Sequence, residues 1–239
     1  MRIALISDMH GNAVALRAAL ADLEDRKPDL IVSLGDVAQG GPQPLECVEL
    51  LRDLDCPCVF GNSDEYLLTL DFGSDEPEDE EQRERLLTTA RWSREELGDD
   101  GLAFLQSFEA TVSAGRLLCC HATPTSNEEV ILPASPREDV ERALADVDAD
   151  AVATGHVHLQ WLRRVGRALW FSVGSVGLVW EHNEPLDDVP FEPLCEYALV
   201  DEELAVEFRR IPFDVDELIA DARAKDFPGF ERWASTWKR

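Results

Sequence analysis

The sequence predicts an α/β fold, and three observations support this prediction. Short apolar runs rich in β-branched residues alternate with segments whose apolar residues recur at helical spacing. The first runs follow one another at about 26 to 28 residues, close to the roughly 30 residues of a strand, crossover helix and parallel strand. Polar residues follow the runs directly, as at the ligand-binding edge of an open α/β sheet. These observations alone predict one mostly parallel sheet.

The first part of the chain contains three strands and two helices in this interpretation. The apolar residues that begin at Ala13 keep helical spacing until Pro28, which ends the first helix. The predicted order is strand 2–6, helix 13–27, strand 30–34, helix 45–54 and strand 58–60.

The regular alternation of predicted strands and helices ends at about residue 62. An acidic linker, 75–81, precedes two helical stretches, 83–97 and 102–108, and we interpret 63–110 as a helical insertion over one edge of the sheet. The acidic run itself indicates a solvated loop rather than a cation site. The insertion could also form part of a pocket wall around Trp92 and Phe104.

The rest of the chain completes a single domain, 1–239, with a helical and aromatic C-terminal extension at about 212–239. Phe230, Trp233 and Trp237 are spaced to share one face of a helix. We expect this face to pack on its own chain, and keep an oligomer formed through it as the alternative. The predicted elements are strands 116–120, 151–154, 168–173, 196–200 and 205–210, and helices 138–144 and 215–224.

Composition excludes several classes of protein. With 49 acidic against 22 basic residues the net charge is −27, which disfavours nucleic acids and anionic membranes as partners. The longest uncharged stretch, 168–180, is shorter than the roughly 18 residues of a membrane span. The N-terminal apolar run meets Asp8 too early for a signal peptide, and the six cysteines form no disulfide framework. We therefore expect a cytoplasmic protein with reduced thiols.

Seven residues of metal-binding type stand where predicted strands end. Four of the five histidines in the chain belong to this set. Each residue alone has a structural explanation, such as a helix cap or a turn, but the set as a whole has none. Its members are Asp8, His10, Asp36, Asn62, His121, His156 and His158.

This mixed oxygen and nitrogen set favours divalent transition metals over calcium, magnesium or structural zinc. Seven ligands exceed the needs of one tetrahedral site, so two ions sharing a carboxylate are expected. The ligands leave the metal open among manganese, iron, zinc, cobalt and nickel, and of these we expect manganese.

At this point the chain resembles the calcineurin-like metallophosphoesterases, in particular the small prokaryotic phosphodiesterases and phosphatases. Five motifs carry the resemblance over residues 3 to about 180. They are Asp8-Met9-His10, Gly35-Asp36, Gly61-Asn62, His121 and Gly155-His156-Val157-His158.

The resemblance implies a four-layer α/β/β/α sandwich of two mixed β-sheets, instead of one sheet. It also implies roles for the site residues: a hydroxide between the two metals as nucleophile, and Asp36 as the bridging ligand. One ion would be held by Asp8, His10 and His158, and the other by Asn62, His121 and His156.

The chain departs from the family pattern after Asn62. Many members carry a histidine there that is thought to protonate the leaving group, and this chain has Ser63 followed by Asp64. His182, the remaining histidine, is expected in an exposed loop. Candidate phosphate neighbours are Asn12, Gly174 and Ser175, for which a helix cap and a turn are equally good explanations.

The sequence therefore predicts a metal-dependent phosphoesterase that hydrolyses a small phosphodiester or phosphomonoester. Two alternatives stay open. One is a phosphoprotein (Ser/Thr) phosphatase, and the other is a metal-binding scaffold of the same fold without catalytic activity.

Overall fold

The computed structural model describes residues 1–73, 76–77, 79–181 and 190–238. Within these ranges nine strands form two sheets, and seven helices cover them. The strands are β1 (Ile3–Ile6), β2 (Leu30–Ser33), β3 (Thr111–Ala114), β4 (Leu117–Cys120), β5 (Ala151–Thr154), β6 (Gln160–Val165), β7 (Ala168–Val173), β8 (Leu194–Val200) and β9 (Val206–Pro212). The helices are α1 (Ala13–Arg26), α2 (Pro44–Leu54), α3 (Asn62–Thr69), α4 (Glu80–Gln106), α5 (Arg137–Ala143), α6 (Val215–Ala224) and α7 (Phe230–Ser235).

Both sheets are mixed. The first has the strand order β2-β1-β8-β9, in which only β1 and β2 are parallel. The second has the order β3-β4-β5-β7-β6, with β4, β5 and β7 parallel and the two edge strands antiparallel. The expectation of one parallel sheet is therefore wrong, and the sandwich implied by the family resemblance is correct.

The direction of the side chains along the strands explains the four layers. On β1, Ile3 and Leu5 pack between the sheets, whereas Ala4 and Ile6 face the helices. Because successive strand residues point to opposite faces, a strand that is apolar throughout must be covered on both sides. Helices α1, α2, α4 and α6 cover the first sheet, and α5 covers the second around Trp170.

Several local predictions need correction. The third predicted strand, 58–60, is reduced to two isolated bridges, in which Cys58 pairs with Ser33 and Val59 pairs with Glu109. The preceding Pro57 has no N–H to donate and Gly61 follows closely, so no longer ladder forms. Strands β3 and β6 were not predicted, because edge strands with polar residues lack a continuous apolar run.

The insertion and the C-terminal extension consist mainly of helices, α3 and α4 in the first and α6 and α7 in the second. Gly98 has non-helical backbone angles inside α4, which separates the two predicted helical stretches. Helix α7 ends at Ser235, so Trp237 does not share a helical face with Phe230 and Trp233 as predicted. Trp237 is buried in the main core of its own chain.

Two further findings concern the chain as a whole. All six cysteines are free, and five of them are buried. No helix within the described ranges combines the length and apolarity that crossing a bilayer requires.

Candidate metal centre

The loops that leave β1, β2, β4 and β5 meet the first turn of α3 at one end of the sandwich. Parallel strands from both sheets point their carboxyl ends toward this place, so residues far apart in sequence converge there. The loops bring together all seven residues of the predicted metal set: Asp8, His10, Asp36, Asn62, His121, His156 and His158.

Most of these residues adopt an unusual backbone conformation. Five of the seven have positive φ angles between 46° and 63°, the left-handed region. For residues other than glycine this conformation costs roughly 1 to 2 kcal/mol, and such strain clusters at functional sites. The five residues are Asp8, His10, Asp36, His156 and His158.

One half of the centre is formed by Asp8, His10 and His158. The Nε2 atoms of the two histidines lie 3.0 Å apart, and Nε2 of His158 lies 3.2 Å from Oδ1 of Asp8. All three side chains are buried, and their ligand atoms lie within 4.8 Å of one another. This spacing matches a set of ligands around one ion.

The other half is formed by Asn62, His121 and His156. Oδ1 of Asn62 lies 2.9 Å from Nε2 of His121 and 3.1 Å from Nδ1 of His156. Asp36 lies between the halves, because its Oδ1 is 3.4 Å from Nε2 of His121 and its Oδ2 is 3.6 Å from Nε2 of His10. A carboxylate in this position can bridge two ions.

Backbone carbonyl groups orient the four histidine rings. In each ring one nitrogen lies 2.7 to 3.0 Å from a carbonyl oxygen, and the other nitrogen points into the centre. Since the nitrogen beside the carbonyl must be the N–H donor, the second nitrogen offers a lone pair. The pairs are His10 with Gln39, His121 with Leu34, His156 with Glu128 and His158 with Leu178.

The pKa values in the centre are shifted because carboxylate and imidazole groups are buried close to one another there. Burial alone would raise the pKa of Asp36, but His121 and His10 lower it below its usual range. Burial alone would lower the pKa of His121, but the Asp36 carboxylate raises it to about 10. Burial, together with the charge of His121, lowers the pKa of His156 to about 4. The Asp36 carboxylate thus favours positive charge beside it, which a bound cation would also supply.

An independent observation also indicates that these side chains bind metal ions. Oδ1 of Asp8 is buried, yet it receives no hydrogen bond from any residue that the structure describes. A buried carboxylate oxygen without a donor is costly, and a cation would satisfy it. Carboxylate, amide and imidazole ligands together are typical of divalent transition metals.

Two of the glycines in the motifs are required by close packing at the centre. A Cβ atom at Gly61 would overlap Oδ1 of Asp36, and one at Gly155 would overlap Oγ of Ser7 and Oδ2 of Asp8. The space that a side chain would fill is therefore occupied by the site carboxylates themselves.

The residues that follow Asn62 support the loop of Asp36. Asp64 is 0% exposed and accepts hydrogen bonds from the N–H groups of Asp36, Val37 and Gly61 at 2.9 to 3.1 Å. Burial, together with the Asp36 charge, raises the pKa of Asp64 to about 7. Asp64 thus holds the backbone in place and does not reach the cleft. His182 lies outside the described residues.

The three predicted phosphate neighbours have structural roles. Oδ1 of Asn12 caps α1 through the N–H of Ala15, and its Nδ2 donates to the carbonyl of Gly177. Oγ of Ser175 donates to the carbonyl of Asp8 at 2.8 Å. Asn12 and Ser175 are 1% and 0% exposed, and a Cβ at Gly174 would overlap Glu196. This geometry favours the cap and the turn over phosphate contacts.

The centre opens into a cleft of about 690 Å³. One wall is the start of α4, so the insertion does line the cleft, but through residues such as Arg85 and Thr88 and not through Trp92 or Phe104. Trp92 instead packs edge-on against Phe227, 5.2 Å between ring centroids. The opposite wall consists of Trp180, Phe191, Phe227 and Trp233. In the sequence, only the spacing of the aromatic residues near the C-terminus indicated a surface of this kind.

Known proteins share the sequence pattern and the fold of this chain. The chain is 28% identical to an uncharacterized protein of Methanocaldococcus jannaschii over 232 residues, which cover 89% of this chain and 88% of the relative. A metallophosphoesterase from Sphaerobacter thermophilus has the same fold, with a TM-score of 0.75, 24% identity and 99% coverage of both chains. A hypothetical protein from Pyrococcus horikoshii has a TM-score of 0.81 at 19% identity, covering 99% of this chain and 97% of its own.

The family model of the calcineurin-like phosphoesterase superfamily domain matches residues 1–187. This segment contains all seven residues of the metal centre. The chain therefore belongs to the calcineurin-like phosphoesterase superfamily.

Proposed function

We propose that the protein is a binuclear metal-dependent phosphoesterase that hydrolyses a small phosphodiester or phosphomonoester. The observation that carries the proposal is the position of Asp36, whose two carboxylate oxygens face different histidine groups at 3.4 and 3.6 Å. Two ions, with manganese preferred, would be held by Asp8, His10 and His158 on one side and Asn62, His121 and His156 on the other. When bound, the ions would lower the pKa of water and neutralise charge on the phosphoryl oxygens.

In this proposal, other residues of the chain hold the metal ligands in position. The carbonyl of Gln39 and its counterparts fix the histidine rings, so that the second nitrogen of each ring already points inward before any ion binds. Asp64 fixes the Asp36 loop through three backbone hydrogen bonds. Such preorganisation reduces the reorganisation needed when charge develops on the substrate.

Metal-depleted protein tests the proposal in an assay with bis(p-nitrophenyl) phosphate. Manganese should restore hydrolysis, and Asp36→Ala and His121→Ala should each lower the restored rate by roughly 100-fold or more, since each removes a ligand. Leu162→Ala is the matched control, because Leu162 is 48% exposed on β6, outside the cleft. A manganese-loaded wild type that is inactive on a broad panel of phosphate esters would contradict the proposal.

The same panel decides between the alternatives. Faster hydrolysis of phosphoserine or phosphothreonine peptides than of small esters would favour a phosphoprotein phosphatase. Bound metal without hydrolysis of any substrate would favour a scaffold. The buried Oδ1 of Asp8 supports metal binding in either case, so only the hydrolysis assay separates the enzyme from the scaffold.

A further inference from the structure

Aromatic rings extend from the metal centre along one wall of the cleft. The Trp180 ring lies 4.6 Å from the ring of His158 and 6.3 Å from that of Phe191, measured between centroids. Farther along the wall, Trp233 contacts Phe227 at 5.2 Å. Four of these rings line the cleft, namely Trp180, Phe191, Phe227 and Trp233, and we call them the aromatic wall.

Most of the aromatic wall lies outside the segment that the superfamily domain covers. The domain match ends at residue 187, whereas Phe191, Phe227 and Trp233 follow it. The matched segment therefore supplies the metal ligands, and the C-terminal segment supplies three of the four rings of the aromatic wall. A surface of this kind contacts the part of a substrate that does not react, and so determines specificity.

The polar residues at the mouth of the cleft limit what can enter it. Helix α4 contributes Glu81, Glu84 and Arg85, and α7 contributes Arg232. Arg85 lies 3.5 Å from Glu81, so its charge is partly compensated. A nucleic-acid strand needs a continuous basic groove, and this mixed rim provides none. A compact ester fits the charge of the rim and the cavity of about 690 Å³.

We propose that the substrate is a nucleotide-like phosphate ester whose planar base stacks on the aromatic wall while its phosphate lies at the metal centre. This inference rests on the proposed phosphoesterase function and specifies its substrate class. Aromatic side chains prefer offset or edge contacts with other rings, and every nucleobase presents a π-face that can use them. A saturated alkyl or sugar ester of similar charge would lose this contact.

Two phosphonates test the inference, because their C–P bond is not hydrolysed during the measurement. The first is adenine carrying a phosphonomethoxyethyl chain, and the second is (phosphonomethoxy)ethane, which lacks the base. Calorimetric titration of the manganese-loaded protein should give a dissociation constant about tenfold lower for the adenine compound, as expected for one stacked base. Trp233→Leu should remove most of this difference, and Trp233→Phe should keep most of it.

Phe208→Leu is the matched control, because Phe208 is a half-buried aromatic residue on β9 outside the cleft. It should leave the difference unchanged. Equal affinity of the wild type for both phosphonates would overturn the inference and leave the proposed function standing. If neither compound binds the manganese-loaded protein, the inference is also overturned, and hydrolysis of the panel of phosphate esters decides the proposed function separately. The wild-type comparison needs no variant, so misfolding of Trp233→Leu does not affect it.

Discussion

Ser63 donates two hydrogen bonds to Asp36, from its backbone N–H to Oδ1 and from its hydroxyl to Oδ2, both at 2.9 Å. Each oxygen of the carboxylate between the two halves of the centre is thus held by the same residue. In this chain Ser63 stands where many family members carry a histidine, and its hydroxyl orients a ligand instead of facing a leaving group.

Ser63→Ala removes the hydroxyl bond and keeps the backbone bond. We expect manganese affinity to fall about tenfold, since hydrogen bonds to metal ligands contribute this much or more. Titration calorimetry with manganese measures the effect, and Ser63→Thr, which keeps a hydroxyl, is the control. An unchanged affinity in Ser63→Ala would show that the backbone bond alone orients Asp36.

Without a histidine at position 63, hydrolysis should depend strongly on the leaving group. A general acid typically raises the reaction rate by a factor of roughly 10² to 10⁴. Esters of poor leaving groups depend on it most. We expect phenyl phosphodiesters to react at least about 100-fold more slowly than p-nitrophenyl phosphodiesters. Steady-state rates across a series of substituted phenols give the slope, and a flat series would reveal an acid elsewhere in the cleft.

Asn12→Ala distinguishes a structural role from phosphate binding. The substitution removes the cap of α1 and the hydrogen bond to Gly177. We expect the free energy of unfolding to fall by about 1 to 2 kcal/mol, as for other lost caps, while KM for a small ester stays unchanged. Denaturant unfolding and steady-state kinetics measure both quantities. A raised KM with unchanged stability would restore Asn12 as a phosphate neighbour.

Glu196 should make stability depend on pH. Burial raises its pKa to about 7, although Arg210 lies 2.9 Å from its Oε1 and the His158 charge also lowers it. A carboxyl whose folded-state pKa is raised stabilises the fold below its unfolded pKa, and this contribution is lost as pH rises toward 7. Glu196→Gln should therefore gain stability relative to wild type between pH 5 and pH 8, on the order of 2 kcal/mol.

Thermal unfolding of both proteins across that pH range measures the effect of Glu196→Gln. A constant difference in Tm between pH 5 and pH 8 would mean that Glu196 stays ionised throughout.

The convergence of the candidate metal ligands could be predicted from sequence because most of them follow a strand within a few residues. Asp8, Asp36 and His156 each stand within three residues of a strand end, and local pattern is enough to place them at one edge. The division into two sheets could not be predicted in this way. Because β1 is apolar throughout, both of its faces are expected to be buried. This pattern does not tell whether helices or a second sheet cover each face.

The sequence could not decide the role of residues that depend on contacts between distant segments. For Asn12 and Ser175 it left a structural role and a phosphate contact equally open, because the bonds from Asn12 to Gly177 and from Ser175 to Asp8 join segments far apart in the chain. Trp233 and Trp237 share an aromatic pattern, but α7 ends between them, so one lines the cleft and the other fills the core. Such differences arise from tertiary packing rather than periodicity.

The number of manganese ions bound per chain tests the central claim most directly. Mass-spectrometric metal analysis of the wild type after dialysis against manganese should find two ions per chain, as the two histidine groups on either side of Asp36 predict. A chain that retains no ion, or only one, would contradict the binuclear centre proposed here.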